Sequence, residues 1–139
     1  MKKFLTATAA LFALAAPAFA DSDNAGDPEA GAKDFRKCAA CHAIINNDGD
    51  VISKGGKAGP NLYGVIGREA GALDFKYSDL MQAAAAAGLV WDDETLALFL
   101  ADPTAFLKEI SGESGRSKMS KQKVKNPADI VAFLESVAE

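Results

Sequence analysis

The sequence predicts an all-α fold built from several short helices that are separated by long loops. Asp27-Pro28 and Asn126-Pro127 each place a helix-capping side chain directly before proline, which favours the first position of a helix. Leu96, Phe99 and Leu100 recur at the three- and four-residue spacings of one buried helix face. No stretch clearly alternates apolar and polar residues between hairpin turns, so the pattern indicates no strand.

The first helix is expected to run from about Pro28 to the pair of cysteines, with Gly31, Phe35 and Ala39 along one face. Glycine inside a helix costs roughly 1 kcal/mol relative to alanine. Gly31 therefore suggests a place where another helix crosses closely. Residues 44–61 are rich in Asn, Asp and Gly, and we expect a loop there.

Two further helices are expected in the middle of the chain. Residues 78–87 are rich in alanine and are followed by Gly88, a residue that commonly terminates a helix. Asp92 or Asp93 would cap the next helix, and Asp102-Pro103 would end it.

The C-terminal part is expected to hold one more helix. After a short helical turn around 104–108, residues 109–125 look irregular, and the last helix begins at Asn126-Pro127. Its buried face is expected to consist of Ile130, Phe133, Leu134 and Val137. The loops have no partners of their own, and a buried apolar group would give them something to pack against.

Residues 38–42, Cys-Ala-Ala-Cys-His, carry the motif for covalent attachment of a c-type haem. Cys38 and Cys41 can reach two vinyl groups along one porphyrin edge, and His42 then lies under the iron as an axial ligand.

The same motif has three alternative interpretations: a redox-active thiol pair, a lone disulfide or half of a zinc site. Zinc would need two further ligands, yet the chain has two cysteines and one histidine in all. No βαβ pattern of a thiol oxidoreductase accompanies the motif. The motif therefore predicts one covalently bound haem c.

Residues 1–20 have the features of a secretory signal peptide: a basic start, an apolar run over 4–16 and an Ala-Phe-Ala cleavage site that ends at Ala20. Cleavage there would leave a single domain over 21–139 in the periplasm, where the cysteines would not persist as free thiols. No apolar run is long enough to span a bilayer, so stable membrane insertion is not expected.

The charge of the expected mature chain is acidic. Two of the 15 Lys and Arg residues lie within 1–20, which leaves 13 basic and 19 acidic residues and a formal charge of −6. Nucleic acid is therefore not an expected partner.

The sixth iron ligand would decide between an electron carrier and a protein that binds or activates a small molecule. The chain has no second histidine, so the candidates are Met81, Met119, a lysine or a tyrosine. Met81 falls in a predicted helix, where methionine commonly fills a core. Met119 lies in a polar, loop-like run, where apolar packing explains little, and it is the favoured candidate.

The order of these motifs resembles the class I c-type cytochromes, most closely the bacterial cytochromes c2, over nearly all of the mature sequence. The matching positions are 26–31, 35, 38–42, 59–64, 67–68, 75–77, 91, 102–103 and 118–119, together with the last helix. The resemblance implies the class I cytochrome c fold, in which short helices and loops wrap around one covalently bound haem.

The resemblance also implies roles for individual residues. The carbonyl of Pro60 would accept a hydrogen bond from His42 and so orient the ring. The side chains expected to bind the haem propionates are Arg68, Tyr77 and Trp91. Those expected to line the haem pocket are Leu62 and Leu100. The first helix would cross the last at Ile130 and Phe133. Phe99 stands where family members usually have a tyrosine near the ligand sulfur.

The function that the resemblance implies is that of a monomeric one-electron carrier. Its donor would be a membrane cytochrome bc1 complex, and its acceptor a photosynthetic reaction centre or a terminal oxidase. The lysine-rich run beside Met119 would dock acidic partners through Arg116, Lys118, Lys121 and Lys123. The alternative is a c-haem enzyme or gas-binding sensor with a labile sixth ligand.

Overall fold

The computed structural model describes residues 26–139, so the expected signal peptide over 1–20 lies outside the described residues. The described chain is mostly helical, which confirms the predicted class, and it also contains one small sheet. The elements are α1 (Pro28–Asp34), a 3₁₀ helix (Phe35–Ala40), β1 (Ile44–Ile45), β2 (Val51–Ser53), α2 (Asp79–Ala86), α3 (Asp93–Ala101), α4 (Pro103–Ser111) and α5 (Pro127–Ser136). Between residues 26 and 139, none of these helices has the length and apolar character needed to cross a membrane.

The first helix begins where the sequence predicts but does not stay α-helical to the cysteines. The Asp27 carboxylate caps α1 by accepting hydrogen bonds from the amides of Glu29 and Ala30. From Phe35 the backbone tightens into a 3₁₀ helix, a common way for an α-helix to end. The amides of Cys41 and His42 then both donate to the carbonyl of Cys38, at 3.0 and 2.9 Å.

Helices α1 and α5 cross at Gly31, as the sequence led us to expect. A Cβ atom on Gly31 would lie 1.9 Å from the carbonyl oxygen of Asp129 and 2.8 Å from the Cβ of Phe133. The rings of Phe35 and Phe133 pack beside the crossing with their centroids 5.3 Å apart. The missing side chain therefore allows the two backbones to touch.

The buried face of α5 differs in part from the prediction. Ile130, Val131 and Leu134 are buried, whereas Phe133 and Val137 are only half-buried. The inward face of α5 therefore includes Val131, while the Phe133 ring packs against Phe35 and stays partly exposed.

The loop expected over 44–61 contains a short antiparallel hairpin, so the expectation of no strands is wrong at this place. β1 pairs with β2 in a register that joins Ile44 to Ser53 and Ile45 to Val51. The connecting turn is closed by Asn46, whose side-chain oxygen accepts from the amides of Asp48 and Asp50. Strands of two and three residues are too short to show a period of two in a sequence.

The middle helices α2 and α3 begin and end where the sequence predicts. The Ser78 hydroxyl caps α2, and Gly88 follows it with a φ of +89°, which glycine adopts without strain. Of the two capping candidates for α3, Asp92 is the cap, in a reciprocal capping box with Thr95.

Helix α4 is longer than the short turn expected around 104–108. Asp102 ends α3 and also caps α4 by accepting from the amide of Ala105 at 3.1 Å, and Pro103 takes the first helical position. The helix continues to Ser111 because the next residue, Gly112, adopts the left-handed conformation that stops it.

We predict that Gly31→Ala lowers the free energy of unfolding by about 1–3 kcal/mol, because the new methyl group overlaps the α5 backbone. Denaturant titration of the purified protein measures this change. The exposed neighbour Ala32 serves as the control, since Ala32→Gly tests intrinsic helix propensity alone and should cost about 0.5–1 kcal/mol. A gain in stability for Gly31→Ala would contradict the close crossing, because propensity alone favours alanine.

Candidate functional site

One cavity of about 280 Å³, with mostly apolar walls, lies among the helices and loops, and its walls combine residues of the 3₁₀ helix, α2, α3, α5 and the loops between them. The sequence-predicted residues that line it are Cys38, Cys41, His42, Pro60, Leu62, Arg68, Tyr77, Trp91, Leu100 and Met119. The structure therefore brings together all ten residues that the sequence assigned to a haem and its iron.

The two cysteines both line the cavity. Cys38 is buried on the 3₁₀ helix, and Cys41 is exposed just after it. Burial raises the pKa of the Cys38 thiol. The two thiols are thus presented on one side of the cavity by a single helical turn, with His42 directly beside them.

His42 is buried and held in one orientation by the loop that faces it. Its Nδ1 lies 2.7 Å from the carbonyl oxygen of Pro60, which can only accept, so Nδ1 carries the proton and donates. A Cβ on Gly59 would lie between 2.3 and 2.7 Å from three atoms of the imidazole ring. Glycine therefore lets the loop backbone lie against the ring. Nε2 is left with a free lone pair, the form that binds a metal.

Arg68 places a half-buried positive charge at the cavity wall. One of its terminal nitrogens donates to the carbonyl of Asn61 at 2.9 Å, and the other donates to the carbonyl of Tyr63. Burial lowers its pKa, although a guanidinium stays charged at neutral pH. Over residues 26–139 no carboxylate forms a salt bridge with it. This cation can therefore compensate an anionic group of a bound molecule.

Both methionine candidates for the sixth ligand reach the same cavity. Met81 lies in the first turn of α2, and its amide donates to the Ser78 hydroxyl. Met119 lies on the extended segment between α4 and α5, and it is half-buried and packed against the core. The polar sequence around Met119 indicated polar surroundings for its side chain. This expectation is wrong, because residues distant in the sequence supply apolar contacts.

The four basic residues proposed for docking do not behave alike. Lys118 lines the cavity, and its ammonium group donates to the carbonyls of Lys76 and Tyr77 at 2.7 and 3.2 Å. Lys121 forms an exposed ion pair of 2.7 Å with Asp102. Arg116 and Lys123 are exposed.

Asn61 lies within the matching positions 59–64, but the sequence did not indicate what its side chain does. Its side chain accepts from the amide of Ile45 and donates back to the carbonyl of Ile45, at 3.0 and 2.7 Å. Its own carbonyl accepts from Arg68. Asn61 thus connects the β1–β2 hairpin to Arg68 at the cavity wall. The sequence feature that could have indicated this role is an asparagine directly after Pro60.

Phe99 and Trp91 are packed together at the back of the cavity. Their ring centroids are 5.0 Å apart, and Phe106 stacks on Trp91 at 6.3 Å. Phe99 offers the cavity an apolar face without a hydroxyl.

Comparison with known proteins agrees with this geometry. Cytochrome c-551 of Roseobacter denitrificans is 45% identical over 139 residues, which cover 99% of this chain and 97% of the relative. Cytochrome c2 of Rhodobacter capsulatus is 46% identical over 142 residues, covering all of both chains. The crystal structure of cytochrome c2 from Rhodobacter capsulatus matches with a TM-score of 0.78 at 45% identity, over 82% of this chain and 100% of that one. No family model matches the chain.

A helical fold whose paired thiols, oriented imidazole and half-buried cation share one apolar cavity is that of a class I c-type cytochrome. Within that class, the chain belongs to the cytochrome c2 family. Like the members of this family, the protein carries one covalently attached haem c, and the donor set around the cavity fits that group.

We predict that Gly59→Ala shifts the visible absorbance and circular dichroism of the haem and lowers the free energy of unfolding by about 1–3 kcal/mol, because the methyl group overlaps the His42 ring. Gly49→Ala is the control. Gly49 has a φ of +90° at the hairpin tip and open space around it, so its replacement costs backbone strain only and leaves the haem spectrum unchanged. Identical haem spectra in the two variants would contradict the contact between the loop and the ring.

Proposed function

We propose that the protein is a soluble, periplasmic one-electron carrier in which Cys38 and Cys41 form the thioethers and His42 and Met119 are the axial ligands. The observation that carries the proposal is the convergence of these four side chains on one cavity, with the imidazole already oriented by Pro60. The expected export signal over 1–20, cleaved after Ala20, accounts for the compartment.

When bound, haem c supplies reversible one-electron chemistry at its iron. The protein residues hold it and control its surroundings. His42 is oriented through Nδ1, so its Nε2 would bind the iron, and Arg68, with Tyr77 and Trp91, would compensate the charge of the propionates. Leu62 and Leu100 add apolar surface to the cavity wall and exclude water.

Two observations favour Met119 over Met81 as the sixth ligand. Met81 is built into α2, where Ser78 fixes the first turn, so its position is already explained by the helix. Met119 belongs to a segment without regular structure that nonetheless turns its side chain toward the cavity and the core. A thioether is a soft ligand that stabilises Fe(II) and raises the reduction potential relative to a second histidine.

The proposed partners are membrane redox complexes that dock in turn, a cytochrome bc1-type complex as donor and a reaction centre or terminal oxidase as acceptor. Exposed basic residues on both sides of Met119 in the sequence would contact acidic surfaces on both complexes. These residues are Arg116, Lys118, Lys121 and Lys123. The chain is proposed to act as a monomer and without catalytic residues of its own.

The alternative, an enzyme or gas sensor, requires an open or labile sixth position on the iron. Rapid binding of CO by the reduced wild-type protein would support the alternative. Slow or negligible binding supports an electron carrier.

We predict that Met119→Ala abolishes the weak far-red band of the oxidised protein, because this band reports a bond between methionine sulfur and Fe(III). Absorbance of the purified, oxidised protein measures it. Met81→Ala removes the other methionine of the cavity wall and should keep the band. The ligand assignment is wrong if the band survives in Met119→Ala, and loss of the band in Met81→Ala would then identify Met81 as the ligand.

We predict that Lys121→Gln combined with Lys123→Gln slows reduction by a purified cytochrome bc1 complex roughly severalfold at low ionic strength, and that the difference shrinks as salt is added. These two lysines are chosen because the Lys118 ammonium also holds two loop carbonyls. The control combines Lys33→Gln with Arg36→Gln, exposed positions near α1 that remove the same charge. Equal rates for both pairs would contradict a docking surface at the Met119 segment.

A further inference from the structure

The segment that carries Met119 is bonded to the junction between α3 and α4 on both sides of the methionine. On the N-terminal side, the amide of Ser117 donates to the Thr104 hydroxyl at 3.1 Å. On the C-terminal side, the amide of Gln122 donates to the carbonyl of Leu100 at 3.2 Å. Met119 thus lies at the centre of a six-residue stretch whose two ends bond to one short piece of chain.

The N-terminal attachment continues to Met119 itself. The Ser117 hydroxyl accepts from the amide of Met119 at 3.1 Å, while the Ser117 amide donates to Thr104. Thr104, Ser117 and Met119 therefore form a relay from the first turn of α4 to the backbone that bears the thioether.

The junction is a rigid base for this relay. Pro103 is among the fully buried residues, and its ring fixes the backbone immediately before Thr104. Asp102 caps α4, so the capping carboxylate and the Pro103 ring together fix the first turn of the helix. The further ion pair between Lys121 and Asp102 is exposed and contributes little.

We propose that Thr104 and Ser117 are positioning residues that keep the Met119 sulfur at the iron. The inference rests on the proposed ligation by Met119. Loss of either hydroxyl frees the segment to move away from the cavity without unfolding the rest of the chain, because the relay spans only α4 and the loop. The consequence is a higher population of protein with an open sixth position.

The test is Thr104→Val, which keeps the side-chain shape and removes the acceptor. The association constant of the oxidised protein for added imidazole should rise about three- to tenfold, the factor expected for one hydrogen bond. Amide hydrogen exchange at Ser117 and Met119 should accelerate by a similar factor, while exchange in α1 and α5 stays unchanged. Thr104→Ser restores a hydroxyl and should return both quantities toward wild type.

Ser117→Ala provides an independent variant, in which imidazole affinity and exchange at the Met119 amide should rise by a similar factor because the acceptor of that amide is removed. Its matched control is Ser114→Ala, an exposed serine three residues before Ser117, and this variant should behave as the wild type. Wild-type imidazole affinity and exchange in both Thr104→Val and Ser117→Ala would overturn the inference. Uniformly faster exchange in all helices would also overturn it, because the role of the hydroxyls would then be general stability.

The ligand experiment separates the two ways of failing. If Met119→Ala loses the far-red band but Thr104→Val and Ser117→Ala both bind imidazole as the wild type does, the ligation stands and the positioning role fails. If Met119→Ala keeps the band, both the ligation and the positioning role fail.

Discussion

The hydrogen bond between His42 Nδ1 and the Pro60 carbonyl is the contact on which the site depends. It fixes the ring plane and leaves Nε2 as the nitrogen that is available to a metal. It also joins the N-terminal helix to the 59–61 loop, because Gly59 lies against the same ring and Asn61 continues the contact to β1. A single side chain thereby sets both the ligand geometry and the position of the loop that supports it.

The position of His42 depends in turn on the crossing of α1 with α5. The two helices touch at Gly31, and the 3₁₀ turn that follows carries Cys38 to the cavity. A side chain at Gly31 would overlap the α5 backbone at Asp129, so the two helices would have to separate. The crossing and the haem motif are only a few residues apart, so a change in packing at Gly31 transmits strain to the turn that carries Cys38.

The sequence predicted the helices that have explicit start and stop residues, and it missed features whose signal is short or long-range. Pro28, Ser78 and Gly88 mark boundaries through local chemistry, which one chain reveals by itself. The two- and three-residue strands carry no readable period, and α4 was underestimated because Asp102-Pro103 both ends one helix and begins the next. Of the ten predicted residues that line the cavity, nine lie at positions that match a family motif, and Leu100 was expected there from the resemblance alone. The hydrogen bond to the Thr104 hydroxyl could not be foreseen, because it joins residues 13 positions apart through a backbone amide.

The loops of this protein are held by single polar side chains that bond to backbone atoms of another segment. Asn61 does this for the hairpin, Arg68 for the 61–63 turn, Lys118 for the 76–77 carbonyls and Thr104 for the Met119 segment. Each satisfies backbone groups that a helix or sheet would otherwise satisfy. A site assembled from loops keeps its geometry only if such supports are in place. The arrangement of the cavity walls therefore depends on these few side chains as well as on the residues that line the cavity directly.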